Sequence, residues 1–283
     1  MKLYSPAVVS SLIQKHNFKI SKSLGQNFLT DGNITEKIIE AAGIEKEDLI
    51  IEIGPGMGVL TAEAAKRAAR VIAIEKDKAL LPVLEDALSE FDNVEIINGD
   101  ILETDINGLA GHNKVKIIGN LPYYITTPVI MKILEEKTNA ESLTVMLQKE
   151  VADRIKAEPG TKAYGTISVV INYYCEVRHI THVSRSVFIP KPDVDSTVLR
   201  LDVRREPPVG LLDEAVFFAC IKAGFGMRRK TLLNSLTGLC GMDKRAVLKA
   251  LESAGIEPGR RAETLTIFEF AELANCISKG GNN

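Results

Sequence analysis

No run of apolar residues in the 283-residue chain approaches the roughly 20 that a membrane span needs, so no membrane-spanning segment is expected. The first residues, MKLYSPAVVSSLIQKHNFKISK, carry lysines but lack a long apolar stretch and a convincing cleavage site. A secretory signal is therefore not expected either. Cysteine is scarce. Cys175, Cys220, Cys240 and Cys276 are widely scattered with no C-x-x-C pair, which suggests neither a zinc site nor a disulfide framework. Cys240 and Cys276 sit in helical apolar patterns and are expected as buried free thiols, in a reducing cytoplasmic compartment. His179 and His182 of HITH lie in a strand-like run, where positions i and i+3 face opposite sides. Nothing supplies a third ligand, so no metal site is expected. There is no excess of positive charge: the formal net charge is −2. Nucleic-acid binding would have to rest on local basic patches. No internal repeat or low-complexity tract is present.

What the chain does have is alternation. DLIIEIG, RVIAIE, NVEIINGD, KVKIIGN and SLTVMLQ read as buried strands, separated by helical patterns. DGNITEKIIEAAG is one such helix, with Asn33 as its cap, Glu36 completing a capping box and Gly43 ending it. KDKALLPVLEDALSEF is a second, broken or kinked near Pro82. YGTISVVINYY is ambiguous and is read as helix. CEVRHITHV and STVLRLDV read as two further strands around a loop rich in Pro and Asp. Strand–helix alternation over about 200 residues implies a mostly parallel α/β sheet covered on both faces. Such sheets bind ligands beyond the carboxyl ends of their strands. The composition shifts at RREPPVG. LLDEAVFFACIKAGF, RRKTLLNSLTGLC, DKRAVLKALESAG and TIFEFAELANCIS then read as helices, with Asp243 as an N-cap and Thr266 with Glu269 as a capping box. Two domains follow: residues 1–205, with an N-terminal extension over 1–30, and a small helical domain over 206–283.

IEIGPGMGVLT places Gly54, Gly56 and Gly58 just after a strand. A dinucleotide fingerprint would need its third glycine at 59, which is Val59. Glu52 precedes the glycines. A pyrophosphate at a helix start disfavours a nearby carboxylate, whereas a ligand with an ammonium and a sulfonium accepts one. That points to S-adenosylmethionine and away from NAD. Glu75 ends the second strand, placed to accept from ribose hydroxyls, and Asp100 ends the third, placed to accept from the amine of an adenine. The alternative for each acid is a helix cap or a solvated strand end.

GNLPYYITTP follows the fourth strand. The side-chain oxygen of Asn120 accepts a hydrogen bond, and Pro122 fixes the backbone so that a carbonyl can accept another. Two converging acceptors suit an NH₂ group, and Tyr123 adds a face for stacking a base. The alternative is a proline turn with surface tyrosines; Tyr124, Thr126 and Thr127 stay unassigned, as residues that start the next helix.

Together KSLGQNFLTD, EIGPGMGVLT, IEKD, NGDIL, GNLPYYITTPVI, VFIPKPDVDSTVLRL, RRKTLLNSL and RRAETLT closely resemble the KsgA (RsmA) family of small-subunit (16S) ribosomal RNA adenine dimethyltransferases, over about residues 8–275. The resemblance implies a Rossmann-like class I S-adenosylmethionine-dependent methyltransferase sheet with a small all-helical C-terminal domain. It implies cofactor contacts at Asn27, Leu29, Gly54, Gly56, Glu75, Asp100 and Asn120. It gives Asn120, the carbonyl of Leu121 and Tyr123 to the target adenine, and matches Phe188 to an aromatic residue covering the other face of the base. The substrate it implies is an assembling 30S subunit, with two adjacent adenines in a terminal hairpin loop, met by a monomeric enzyme. Lys19, Lys22, Arg228, Arg229, Lys230, Arg260 and Arg261 are candidates for phosphate contacts, against the alternative of solvated helix faces. Three other readings remain: a large-subunit adenine methyltransferase of the macrolide-resistance kind, a non-catalytic RNA-binding assembly factor, and an NAD-dependent dehydrogenase.

Overall fold

The computed structural model of the chain describes residues 2–21 and 23–280. They form two compact units. One runs to Ala152 and resumes over Val177–Val203; the other joins Asp153–Glu176 to the chain from Arg204 onward. In chain order the elements are α1 (Pro6–Lys15), β1 (Phe28–Leu29), α2 (Gly32–Ala42), β2 (Leu49–Ile53), α3 (Val59–Ala65), β3 (Arg70–Glu75), α4 (Leu81–Ala87), β4 (Val94–Asn98), α5 (Ile106–Ala110), β5 (Val115–Asn120), α6 (Thr126–Glu135), β6 (Ala140–Gln148), α7 (Lys149–Ile155), α8 (Thr166–Tyr174), β7 (Cys175–Val183), β8 (Phe188–Ile189), β9 (Ser196–Val203), α9 (Glu214–Gly226), α10 (Leu232–Ser235), α11 (Lys244–Ser253) and α12 (Ile267–Gly280). No helix among the described residues is long and apolar enough to cross a membrane.

Seven strands form one sheet in the order β4-β3-β2-β5-β6-β9-β7. The first five run parallel, and β9 is antiparallel to β6. All five residues of β2 are buried, including Glu52, because helices cover both faces of a parallel sheet. Each fully buried Ile or Leu there contributes about 1.5–3 kcal/mol. The chain winds outward from β2 through β3 and β4, then returns to place β5 on β2's other side. The gap between the carboxyl ends of β2 and β5 is therefore the topological switch point, where such sheets hold ligands. Close approach at that point requires a glycine. A Cβ on Gly119 would lie 2.7 Å from the Ile53 carbonyl oxygen on the paired strand.

In the second unit, helices pack around Phe217, Cys220, Leu251, Phe270 and Leu273. Tyr164, Val169 and Tyr173 of the 153–176 segment join that core, and the Tyr173 hydroxyl bonds the Glu214 carboxylate at 2.9 Å. The sequence had placed this segment with the sheet. Its ordinary helical pattern does not say which partner buries it.

Several local expectations change. Asp31 caps α2, its side chain accepting from Ile34 N–H at 3.0 Å, while Glu36 pairs with Arg67. Asp31 lies one residue outside the helix, where a cap belongs. Pro82 sits in the first turn of α4 behind a separate 3-10 turn at Lys78–Leu80, so it starts a helix and does not kink one. RRKTLLNSLTGLC is helical only over Leu232–Ser235, with a 3-10 turn at Leu239–Gly241. That turn leaves Cys240 exposed, and Cys276 is half-buried; the buried thiols are Cys175 and Cys220.

Candidate active site at the carboxyl ends of the strands

The ends of β2, β3, β4 and β5 and the segment before β1 surround one cavity, open to solvent, within the first unit. Gly54 and Gly56 line it at positive φ, 67° and 59°. A side chain on Gly56 would meet the Phe28 ring at 3.1 Å, so only glycine leaves this wall open. Gly54 lies against Asn120: a Cβ there would be 3.9 Å from the Asn120 carbonyl oxygen.

Three carboxylates project toward the cavity. Glu52 is 1% exposed, and its Oε2 accepts from the Thr61 hydroxyl at 2.5 Å. Burial pushes its carboxyl up to about 8, against the Thr61 bond, and nearby Glu75 adds to the rise. Glu75 ends β3, and its Oε1 accepts from the Asp77 N–H at 2.7 Å. Burial raises it to about 7, against the backbone N–H groups it accepts. Asp100 follows β4. Lys76 Nζ sits 2.7 Å from its Oδ2 and holds it below the usual carboxylate range, and Leu102 N–H bonds Oδ1 at 3.0 Å. A donor to Asp100 thus has to share oxygens already in use. The sequence showed Lys76 only as part of IEKD; its role as Asp100's partner comes from the adjacency of β3 and β4.

Asn120 closes β5. Its Nδ2 donates to the Asn27 carbonyl at 3.0 Å, which leaves Oδ1 as an acceptor. Asn27 and Leu29 line the same cavity. The Leu121 side chain is buried, and its N–H donates to the Met146 carbonyl at 3.0 Å, fixing the backbone beside Asn120. The Tyr123 hydroxyl lies 3.1 Å from Ser196 Oγ, and its ring is half-buried. Burial raises its hydroxyl above the ordinary range. Tyr123 does not line the cofactor cavity; Tyr124 does, at the rim and 51% exposed. Thr126 begins α6 and bonds the Pro122 carbonyl at 3.1 Å.

Phe188 is placed differently from its expected role. It is 3% exposed, pairs with Leu29 between β8 and β1, and packs with Ile38, Ile50 and Val198. In this arrangement it offers no open ring face, because the hydrophobic packing that makes phenylalanine useful in a stack also draws it into the core. The phosphate candidates divide as well. Arg228 is held by Glu263 at 2.9 Å and by the Lys162 and Tyr164 carbonyls. Arg260 is paired with Glu269 and bonded to Thr264. Lys19, Arg229, Lys230 and Arg261 are exposed, and no ion pair ties them down among the described residues. Lys22 lies outside the described residues.

Five parallel strands with a switch point at β2/β5, and an antiparallel β9 between β6 and β7, define a class I S-adenosylmethionine-dependent methyltransferase. The cavity fits that cofactor on two observations. A buried carboxylate, Glu52, lines it with a single hydroxyl donor and suits a cation, and carboxylates end the two strands where ribose and adenine would lie. The model of the family described as ribosomal RNA adenine dimethylase matches residues 17–279. Ribosomal RNA small subunit methyltransferase A of Clostridioides difficile is 50% identical over 98% of this chain and 97% of its own. The protein of the same name in Alkaliphilus oremlandii is 49% identical over 98% and 99%. Among solved structures, a dimethyladenosine transferase from Plasmodium falciparum matches with a TM-score of 0.79 and 25% identity, over 90% of this chain and 98% of that one. The 23S rRNA methyltransferase ErmE matches with a TM-score of 0.68 and 28% identity, over 89% and 100%. The chain belongs to the ribosomal RNA adenine dimethylase family, whose methyl donor is S-adenosylmethionine.

Proposed function

We propose that this enzyme dimethylates N6 of two adjacent adenosines in the 3′-terminal hairpin loop of 16S ribosomal RNA, in the cytoplasm, on an assembling 30S subunit. The carrying observation is Asn120: its amide is anchored through Nδ2, so Oδ1 is presented as a fixed acceptor beside the glycine loop. The bound cofactor supplies an electrophilic methyl group. Glu52 would face its cationic end, Gly54 and Gly56 its methionine part, Glu75 the ribose and Asp100 the adenine ring. Asn120 Oδ1 and the Leu121 carbonyl accept the two N–H groups of the target amine. That favours a more tetrahedral nitrogen with its lone pair aimed at the methyl group. Positioning and preorganised acceptors then carry the rate without a strong base. The amine gives up one proton per transfer, to water. Tyr123 stacks on the target adenine, its ring held by the Ser196 contact. For Phe188 to cover the other face, the β1–β8 pair has to part.

The small-subunit assignment is supported by the names of the relatives near 50% identity. The test is methylation of purified 30S particles against 23S RNA, with mass spectrometry of the product. Two adjacent N6,N6-dimethyladenosines in the 30S RNA are expected; incorporation into 23S RNA alone would overturn the reading.

The RNA must be held while an adenine is unstacked, and loops cost least to open. We assign phosphate contacts to Lys19, Arg229, Lys230 and Arg261, and structural duty to Arg228 and Arg260. Lys230→Ala or Arg261→Ala should weaken 30S binding and lower the salt dependence of log K by about 1 each. Arg260→Ala should instead cost about 1 kcal/mol of stability, seen as a lower Tm. Equal loss of 30S binding in Arg260→Ala at unchanged Tm would reverse that division.

A further inference from the structure

The cavity's outer wall, residues 23–27, has no fully buried side chain; the first are Phe28 and Leu29. Beside bonds within it, such as Asn27 Nδ2 to the Gly25 carbonyl, side-chain hydrogen bonds tie this wall to Asn120 at one end and to Asp77 at the other. At one end Asn120 Nδ2 donates to the Asn27 carbonyl at 3.0 Å. At the other, Gln26 makes two bonds at once. Its Oε1 accepts from the Ser21 N–H at 2.6 Å, and its Nε2 donates to Asp77 Oδ2 at 2.6 Å. An amide has one accepting and one donating end, and each meets its complement only in this orientation. Asp77 is well fixed for its part. Its Oδ1 caps the 3-10 turn through Ala79 N–H at 3.0 Å, and its own N–H donates to Glu75 Oε1 at 2.7 Å. A continuous hydrogen-bonded path therefore runs from the wall, through Asp77, to the carboxylate assigned to the ribose.

We propose that Gln26 is a positioning residue, a latch that holds residues 24–27 across the cofactor cavity and sets how quickly cofactor and demethylated product leave. The inference rests on the cofactor assignment above. Dimethylating one adenine takes two cofactor molecules in succession, so the cavity must release product and reload between transfers. A wall held by side-chain hydrogen bonds over a solvent-open cavity can do this, whereas a wall anchored by a packed apolar face would hold it shut.

The full-length chain is tested as Gln26→Ala, Gln26→Glu, Asp77→Asn and the double variant Gln26→Glu/Asp77→Asn. Calorimetry gives the affinity for S-adenosylmethionine and S-adenosylhomocysteine, stopped flow gives the release rate of the latter, and single-turnover methylation of 30S particles at saturating cofactor gives the transfer rate. Gln26→Ala should weaken cofactor binding about tenfold, which is about 1.4 kcal/mol, and speed product release by a similar factor. Transfer at saturating cofactor should stay within about twofold. Gln26→Glu should be worse, since two carboxylates then face each other. The double variant should recover most of the loss. The introduced carboxylate accepts from the Ser21 N–H and from the introduced amide, whose oxygen still caps the turn. A misfolded single variant would not be rescued in this way. A double variant no better than either single one overturns the latch. So does a Gln26→Ala enzyme with unchanged affinity and release. Glu75→Ala serves as the control: if it leaves cofactor affinity intact, the cavity assignment itself has failed; if it weakens binding while the Gln26 variants do not, only the latch has.

Discussion

Asn120→Ala should lower the single-turnover rate of methyl transfer by about 10²–10³, the loss seen when one preorganised hydrogen-bonding group is removed from a reacting centre. Cofactor affinity should change by less than about tenfold. The two effects separate because the side chain faces two ways. Nδ2 holds the Asn27 carbonyl, and Oδ1 is left for the target amine. Losing the first contact loosens a wall that Gln26 still pins from the other end. Losing the second removes one of two acceptors that orient the nitrogen lone pair. Calorimetry alongside single-turnover kinetics checks the split. If lost cofactor affinity accounts for the defect, Asn120 is a cofactor residue and the amine is held elsewhere.

That Gly54, Glu75, Asp100 and Asn120 share one cavity was legible because the logic is local. Glu75 and Asn120 are the last residues of β3 and β5, Gly54 and Asp100 lie one and two residues past the ends of β2 and β4, and a parallel sheet brings such ends to one edge. What stayed hidden depends on partners distant in sequence. Arg228 reads as one of three adjacent cations, but Glu263, 35 residues away, claims it. Lys76 and Asp100 are 24 residues apart and meet only because β3 and β4 pair. The helix over Thr166–Tyr174 was recognised, but its burial against α9 and α12 was not, because an apolar helical face fits any apolar surface of the right size. Phe188 shows the same limit from the other side. The motif fixes its neighbourhood, and only the β1–β8 pairing shows that Leu29 covers it. Gln26 was passed over for a different reason: between Gly25 and Asn27 its side chain has no periodic signal, and its partners at 21 and 77 lie outside the helices and strands.

Glu52→Gln should stabilise the protein at alkaline pH while weakening its hold on the cofactor. Burial raises the Glu52 carboxyl from its ordinary 4.5 to about 8 in the folded, ligand-free protein. A raised acid stabilises the fold fully below the unfolded value and loses that contribution as pH climbs through the folded one. Wild type should therefore lose on the order of 4 kcal/mol between pH 5 and 9 from this group, and the neutral amide should not. A cationic cofactor favours the ionised form. Binding at pH 7 should then release close to one proton, as calorimetry in buffers of different ionisation enthalpy would show. The apparent affinity should rise by up to about tenfold per pH unit toward pH 8 and level off above it. Glu75, raised to about 7, adds a smaller release on the same side if the bound form ionises it. Glu52→Gln should abolish the larger component, bind the cofactor more weakly above pH 8, and melt at a higher temperature than wild type at pH 9. Proton release unchanged in the variant would mean that Glu52 stays neutral beneath the bound cofactor, and that the cation is balanced by another group.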